Sequence, residues 1–379
     1  MAHADAPEKL KRPSRWHLPS WWANGVAALI LLLTYCAPHV SPVTNWPLAV
    51  LAMTFTFQIA VHVFFVGWWA FFRPKRMLLS GVLLVAGYSH IRDHIQFFGH
   101  TNPTSEVVGK PAKLMSYNVR VFDLYNWTHN KETRNSMFEL FKREDPDILC
   151  LQEYFYSPDP MFFRTKEPLV NDLGLKNAHE RYTQHARYRS HFGIATFTKL
   201  PIIARGHIPF PSNPDNQCIW TDIKVDTDTV RVYNAHLASY HFGDEDYKFI
   251  KELDTDTHLD TLKSGGTKIL KRLRHGFILR ADETQRIADH IAQSPYPVVY
   301  CGDMNDVPMS YGYARLRTHL DDAFTKSGKG LGGTYIGNLP KLRIDHIMIG
   351  PELEAWDFHT LPEAYSDHHA ITSLIARRK

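Results

Sequence analysis

Residues 46–72 form a long apolar run that carries no Asp, Glu, Lys or Arg. About 20 apolar residues are enough for a helix to cross a bilayer, so this run restricts what the first part of the chain can become. Residues 21–38 precede it and include the run Val26 to Thr34. Residues 77–91 follow it. That third segment reaches bilayer length only if it continues to Phe98, past Arg92 and Asp93, which can neutralise each other. Trp21, Trp22, Trp46, Trp68 and Trp69 lie near segment ends, where an aromatic belt would place them. Residues 21–100 therefore read as a transmembrane region of two to three helices, behind a basic tail, residues 1–20, with Lys9, Lys11, Arg12 and Arg15. A cleaved signal peptide would explain only the first segment. Lipid attachment at Cys36 is disfavoured by the bulky Tyr35 before it.

Orientation follows from Lys and Arg in the short loops. The tail is basic, residues 37–45 contain neither Lys nor Arg, and Arg73-Pro-Lys-Arg76 is basic. Three spans would then place everything after residue 100 on the outer, periplasmic side of the cytoplasmic membrane. If the third segment only rests on the surface, the rest of the chain is cytoplasmic. Residues 101–110 read as a linker, with Asn102-Pro103 and Gly109. Residues 111–379 are long enough for a domain with a sizeable core.

A net charge of +4 is too mild to argue for nucleic acid by itself. The cysteines, Cys36, Cys150, Cys218 and Cys301, show no CxxC spacing and read as free thiols.

Within 111–379, apolar strand patterns repeatedly end on a polar group. Residues 112–121 alternate as a strand and carry Asn118. Residues 132–143 read as an amphipathic helix, followed by a buried strand, 147–153, that ends on Gln152 and Glu153. Residues 154–190 show little periodicity. Short strands follow at 192–198 and 200–204. A hairpin joins 218–225 to 229–235, and its second strand leads to His236. Residues 244–291 read as a polar, mostly helical insertion, broken at Gly265-Gly266. Lys268, Lys271, Arg272, Arg274 and Arg280 make it basic, the usual mark of a solvated face. Residues 296–301 form a buried strand running into Gly302-Asp303-Met304-Asn305. Asp303 and Asn305 are two apart, so in a strand they aim at one object. Residues 328–337 are a glycine-rich loop, residues 342–349 a strand carrying Asp345, and Asp367-His368 enter the last strand.

Each of these groups has an ordinary structural explanation: an Asx turn, an exposed Glu at a strand exit, a satisfied core His. Together they make a donor set. Carboxylates and amides suit Mg²⁺, with Mn²⁺ as the alternative, rather than zinc or copper. Histidines with acidic partners suit proton transfer. Such a set suits attack of water on a phosphate ester.

Met115-Ser-Tyr-Asn118, Leu151-Gln-Glu153, Asn234-Ala-His236, Gly302-Asp-Met-Asn305, Arg343-Ile-Asp345 and Ser366-Asp-His368 resemble, in order and spacing, the motifs of the endonuclease/exonuclease/phosphatase superfamily. That superfamily includes pancreatic-type deoxyribonucleases, abasic-site endonucleases, neutral sphingomyelinases and inositol-phosphate phosphatases. The resemblance implies an α/β fold, a four-layer α/β/β/α sandwich, here preceded by the helical transmembrane region. It implies Glu153 as the main metal ligand, with Asn118 and Asp367 completing or supporting the shell. It further implies that Asp303 orients or deprotonates the attacking water and that Asn305 holds the phosphate. His236 and His368 would stabilise the pentacovalent phosphorus and assist the leaving group, with Asp345 orienting His368.

The membrane segments are no part of the superfamily's core pattern, and no segment stands out as a loop for reading base edges. The expectation is a membrane-anchored, Mg²⁺-dependent phosphodiesterase acting on nucleic acid or on a phospholipid headgroup, bound to the bilayer through residues 21–100. The alternatives are a phosphomonoesterase and a catalytically silent binding module on a membrane stalk.

Overall fold

The computed structural model describes residues 17–159, 162, 164–186, 190–240, 259–337 and 341–379. Most of the basic tail and residues 241–258 of the insertion lie outside the described residues.

The chain enters through α1 (Leu18–Tyr35), the short helices α2 (Pro42–Asn45) and α3 (Pro47–Met53), and α4 (Phe55–Phe72). The segments Leu18–His39 and Phe55–Phe72 are long and apolar enough to cross a membrane. The third apolar segment is shorter and broken into α5 (Met77–Ala86) and α6 (Tyr88–His94). The break falls at Gly87, where the Tyr35 ring lies so close that any side chain would collide with it. The Tyr35 hydroxyl donates to the Leu83 carbonyl at 2.8 Å.

The bundle is apolar outside and buries hydrogen-bonded polar groups among its apolar core residues. Ser80 Oγ donates to Asn24 Oδ1 at 2.8 Å and lies 2.9 Å from His62 Nδ1. Thr34 Oγ1 donates to Gln58 Oε1 at 3.0 Å. These groups are buried, whereas Trp22, Val26, Leu29, Phe57, Phe64 and Phe71 face outward. At one end Arg76 stacks on Trp21 and Trp69. At the other, Leu31, Ala52 and Phe55 pack against Val307, Met309 and Ile344 of the following domain.

That domain is built on two six-stranded sheets. The first runs in the order β11 (Leu353–Thr360), β12 (Ile371–Arg378), β1 (Val107–Asn118), β2 (Ile148–Tyr156), β4 (Ser190–Thr198), β3 (Asn177–Ala186). The second runs β5 (Ile202–Ile208), β6 (Gln217–Val225), β7 (Asp228–His236), β8 (Val298–Asp303), β10 (Asp345–Ile349), β9 (Asp321–Asp322). Leu114, Ile148 and Cys150 of the first sheet meet Val232, Val299 and Ile347 of the second in one apolar core. Helix α7 (Thr133–Glu144) covers the outer face of the first sheet through Met137, Leu140 and Phe141. The long helix Leu259–Ile291 covers the second through Ile287, Ala288 and Ile291. The result is the expected α/β/β/α sandwich. A buried amide pair stitches the sheets together: Gln152 Nε2 donates to Asn234 Oδ1 at 2.7 Å, and Asn234 Nδ2 donates to the Ala195 carbonyl at 2.9 Å.

Several sequence expectations change. Strand β1 stops at Asn118 rather than at residue 121, because Arg120 to Asp123 take positive φ and turn the chain away. The long helix passes through Gly265-Gly266 without a break. Asp345 opens β10 instead of lying in mid-strand. Strands β3 and β11 carry no clear periodic signal. The four cysteines are free thiols, as expected.

Topology places the strand ends. Each sheet has a central parallel pair: β1 with β2, ending at Asn118 opposite Gln152, and β7 with β8, ending at His236 opposite Asp303. Antiparallel β10 starts with Asp345 opposite Asp303. Antiparallel β12 starts with Ile371 opposite Ser116, so the residues just before it lie beyond the tip of β1. Gly302 makes the approach of β8 to β7 possible. Its φ of +150° suits glycine, and any Cβ would strike the Ala235 carbonyl. Gly302→Ala is expected to lower stability by about 2–3 kcal/mol through strain and overpacking, read as a lower midpoint of thermal unfolding.

Candidate active site

The strand tips bring Asn118, Glu153, His236, Asp303, Asp345 and His368 together. Asn118 Nδ2 donates to Glu153 Oε1 and to Asp303 Oδ2, both at 3.1 Å. His236 Nε2 lies 3.8 Å from Glu153 Oε1 and 3.7 Å from Asp303 Oδ2. The two carboxylates therefore share the same two neighbours. Glu153 sits on a bulge between β2 and β4, at φ +50°, and this turns its side chain into the cleft. Its side chain is 36% exposed, whereas that of Asp303 is 1% exposed.

On the far side of Asp303 stands a histidine with its own acid. His368 Nδ1 is 2.8 Å from Asp345 Oδ2, and Nε2 is 3.6 Å from Asp303 Oδ2. Burial opposes the imidazolium, but the Asp345 and Asp303 carboxylates outweigh it and hold His368 well above the ordinary imidazole range. Burial also pushes Asp303 up to about 6, against the pull of His368 and with the push of Asp345. Asp303 Oδ1 accepts the Asn305 backbone N–H at 2.8 Å, which fixes the carboxylate plane. Asn305, at φ +51°, donates its side-chain amide to the Leu237 carbonyl at 3.0 Å. Asp367 borders the same cleft, with Oδ2 3.5 Å from Arg120 Nε. All eight expected residues thus gather at one edge of the sandwich, seven of them joined by contacts, Asn305 through its backbone N–H, and Asp367 at the margin.

The donor set fits a hard divalent cation. Glu153, Asp303 and Asp367 offer carboxylate oxygens to one cleft, against which the nearest cationic groups are His368 beside Asp303 and Arg120 at Asp367. Carboxylate oxygens concentrated in this way favour a hard cation. Single atoms of Asp303, Asp345 and His368 also lie within 4.8 Å of one another. That trio is less suited to hold the ion, since Asp345 and Nδ1 of His368 already bind each other. Asn118 spends its amide N–H groups on the two carboxylates, and its Oδ1 accepts the Arg120 N–H at 3.1 Å. It organises the carboxylates.

The sequence reading missed two buried supports. Arg280, assigned to a solvated face, is buried and reaches Asp306 Oδ2 at 3.3 Å and the Tyr240 hydroxyl at 2.7 Å. Arg343 is buried against Asp322 at 2.7 Å and donates to the Asp93 carbonyl at 2.7 Å. Each arginine stands near an acid, Asp306 or Asp345, that directly follows the site motifs or belongs to them, but nothing in their spacing marks burial.

Residues 115–368 match the sequence model of the Endonuclease/Exonuclease/phosphatase family. The chain belongs to this family. Residues 17–94 match a second model, described as Domain of unknown function (DUF8431). Among solved structures, an endonuclease/exonuclease/phosphatase from Beutenbergia cavernae DSM 12333 superposes with a TM-score of 0.50 and 16% identity, over 71% of this chain and 72% of that one. The human Nocturnin catalytic domain with bound sulfate anion gives a TM-score of 0.50 and 16% identity, over 73% of this chain and 97% of that one. At such identity the likeness concerns the fold. No curated protein sequence matches the chain. The family is one of divalent-metal-dependent hydrolases of phosphate esters, in keeping with the acidic and imidazole cluster at the strand tips.

Proposed function

We propose that this chain is a membrane-anchored phosphodiesterase that uses Mg²⁺, or Mn²⁺ in its place, to hydrolyse phosphodiester bonds. The observation that carries the reading is the pairing of Glu153 and Asp303 through Asn118 and His236, with the His368–Asp345 pair behind them.

Glu153 would hold the ion, supported by Asn118 and Asp367. When bound, the ion supplies positive charge to the phosphate oxygens and lowers the barrier to attack. Asp303 takes the proton of the attacking water as the water oxygen bonds to phosphorus. The P–O bond to the departing alcohol breaks, and His368, held protonated by Asp345, gives its Nε2 proton to the leaving oxygen. His236 and the second amide hydrogen of Asn305 steady the phosphate oxygens. The products are an alcohol and a phosphomonoester. Charge fixed in advance around the developing phosphorane supplies most of the acceleration.

The apolar exterior of the helical bundle supports the membrane anchor. Exposed Phe and Leu flanks with buried, hydrogen-bonded Asn, Ser and His suit lipid better than water. The basic turn Arg73 to Arg76 lies at the end away from the catalytic domain, while α5 and α6 bring the chain back to it at Asp93. Under the positive-inside rule this arrangement supports a catalytic domain on the outer side of the cytoplasmic membrane. The proposed organisation is a tail to residue 20, the membrane region 21–100, a connection at 101–110 and the catalytic domain 111–379.

The test uses bis(p-nitrophenyl) phosphate and p-nitrophenyl phosphate with the full chain in detergent. The diester should turn over in Mg²⁺ and stop in EDTA. Preference for the monoester would make the chain a phosphatase, and turnover of neither would overturn the reading.

A further inference from the structure

The cleft wall is not made by the catalytic domain alone. Met53, at the junction of α3 and α4, lines it beside Glu153, Asp303 and His368. Val307, Leu342 and Ile344 continue the apolar side of the same cleft. Val307 and Ile344 are packed in one cluster with Leu31, Ala52 and Phe55 of the helical region. The Tyr240 hydroxyl donates to Met53 Sδ at 3.5 Å, and Met53 also packs toward Leu273 and Phe277 of the long helix. An apolar strip thus leads from the catalytic carboxylates onto the end of a helix whose outer face, Phe57 and Phe64, is exposed and apolar.

A polynucleotide would need something else. Nucleic-acid binding rests on Lys and Arg contacts to successive phosphates. Among the described residues that line this cleft there is neither, and Arg120, 3.5 Å from Asp367 at its margin, offers a single guanidinium rather than a row. One phosphate site, an apolar wall and a helix end beside both fit a substrate with one phosphodiester and one greasy arm.

Resting on the phosphodiesterase reading above, we infer that the substrate is a membrane phospholipid of the leaflet facing the catalytic domain, drawn up along Met53 so that its phosphodiester reaches Glu153 and Asp303 while its apolar part stays against the helical wall. Water adds to phosphorus, one P–O ester bond breaks, and the products are an alcohol and a phosphomonoester, one of which keeps the acyl chains.

The experiment compares the full chain, reconstituted with Mg²⁺, on vesicles of equimolar phosphatidylethanolamine and phosphatidylglycerol, on a single-stranded DNA oligonucleotide and on bis(p-nitrophenyl) phosphate. Vesicle phosphodiester should be hydrolysed faster than DNA at equal phosphate. Met53→Gln should cut the ratio of vesicle to soluble-diester turnover by about tenfold, the worth of one apolar contact, and Met53→Leu should keep that ratio. Faster cleavage of DNA, or a Met53→Gln loss equal on both diesters, overturns the lipid assignment and leaves the phosphodiesterase reading standing. No turnover of the soluble diester defeats both.

Discussion

Glu153→Gln is expected to lower Mg²⁺-dependent turnover of bis(p-nitrophenyl) phosphate by about a thousandfold or more, near 4 kcal/mol of barrier. The substitution keeps the shape and removes the negative charge. Asn118 Nδ2 can still donate to the remaining amide oxygen, so the strand tip should hold. The side chain is partly open to the cleft and carries no buried ion pair, so the fold has little to lose. The check is steady-state kinetics across a Mg²⁺ titration, beside thermal unfolding of the same preparation. An unchanged melting curve with lost turnover assigns the effect to chemistry. Turnover within tenfold of the parent would remove Glu153 from the mechanism.

Arg343→Met is expected to cost about 3–5 kcal/mol of stability, the usual price of breaking a buried charge pair. Arg343 and Asp322 are nearly fully buried, and the lost guanidinium would leave the Asp322 carboxylate with the Tyr313 hydroxyl, the Phe324 N–H and, at 3.6 Å, His346. The contact with the Asp93 carbonyl would go as well, loosening the helical region from the catalytic domain. Burial works against the Asp322 carboxylate, but Arg343 and His346 hold it well below the usual carboxylate range. A depressed folded-state pKa stabilises above the unfolded value, about 4, and that stabilisation fades as pH falls below it. The gap in melting temperature between parent and variant should therefore be full at pH 7 and shrink as acid protonates Asp322, first in the variant, where burial without Arg343 favours the neutral acid. The double variant with Asp322→Asn should be less destabilised than Arg343→Met alone, since no unpaired charge remains.

The strand tips were legible because each apolar run ends on one polar residue, and a charge at the end of a buried strand demands a partner. What could not be read has physical causes. Strand β3 begins Asn-Ala-His-Glu-Arg-Tyr-Thr, an edge strand that gives the core only Ala178 and Tyr182. Strand β11 carries a bulge after Trp356, with Asp357 at φ +55°, which breaks its alternation. Gly265-Gly266 costs about 1 kcal/mol per glycine in a helix, yet the helix persists, and beyond the glycines it buries Leu273 and Phe277 against Ala49 of the helical region. That contact joins segments far apart in sequence and leaves no local signal. Arg280 looks like a surface charge because composition cannot tell a solvated guanidinium from one paired in the interior.

The most direct measurement is an anomalous difference map from crystals of the full chain loaded with Mn²⁺. The expected result is a peak against the Glu153 carboxylate, at the mouth of the pocket formed with Asn118, His236 and Asp303. A peak centred instead on Asp345 and His368, or none at these strand tips, would contradict the proposed site.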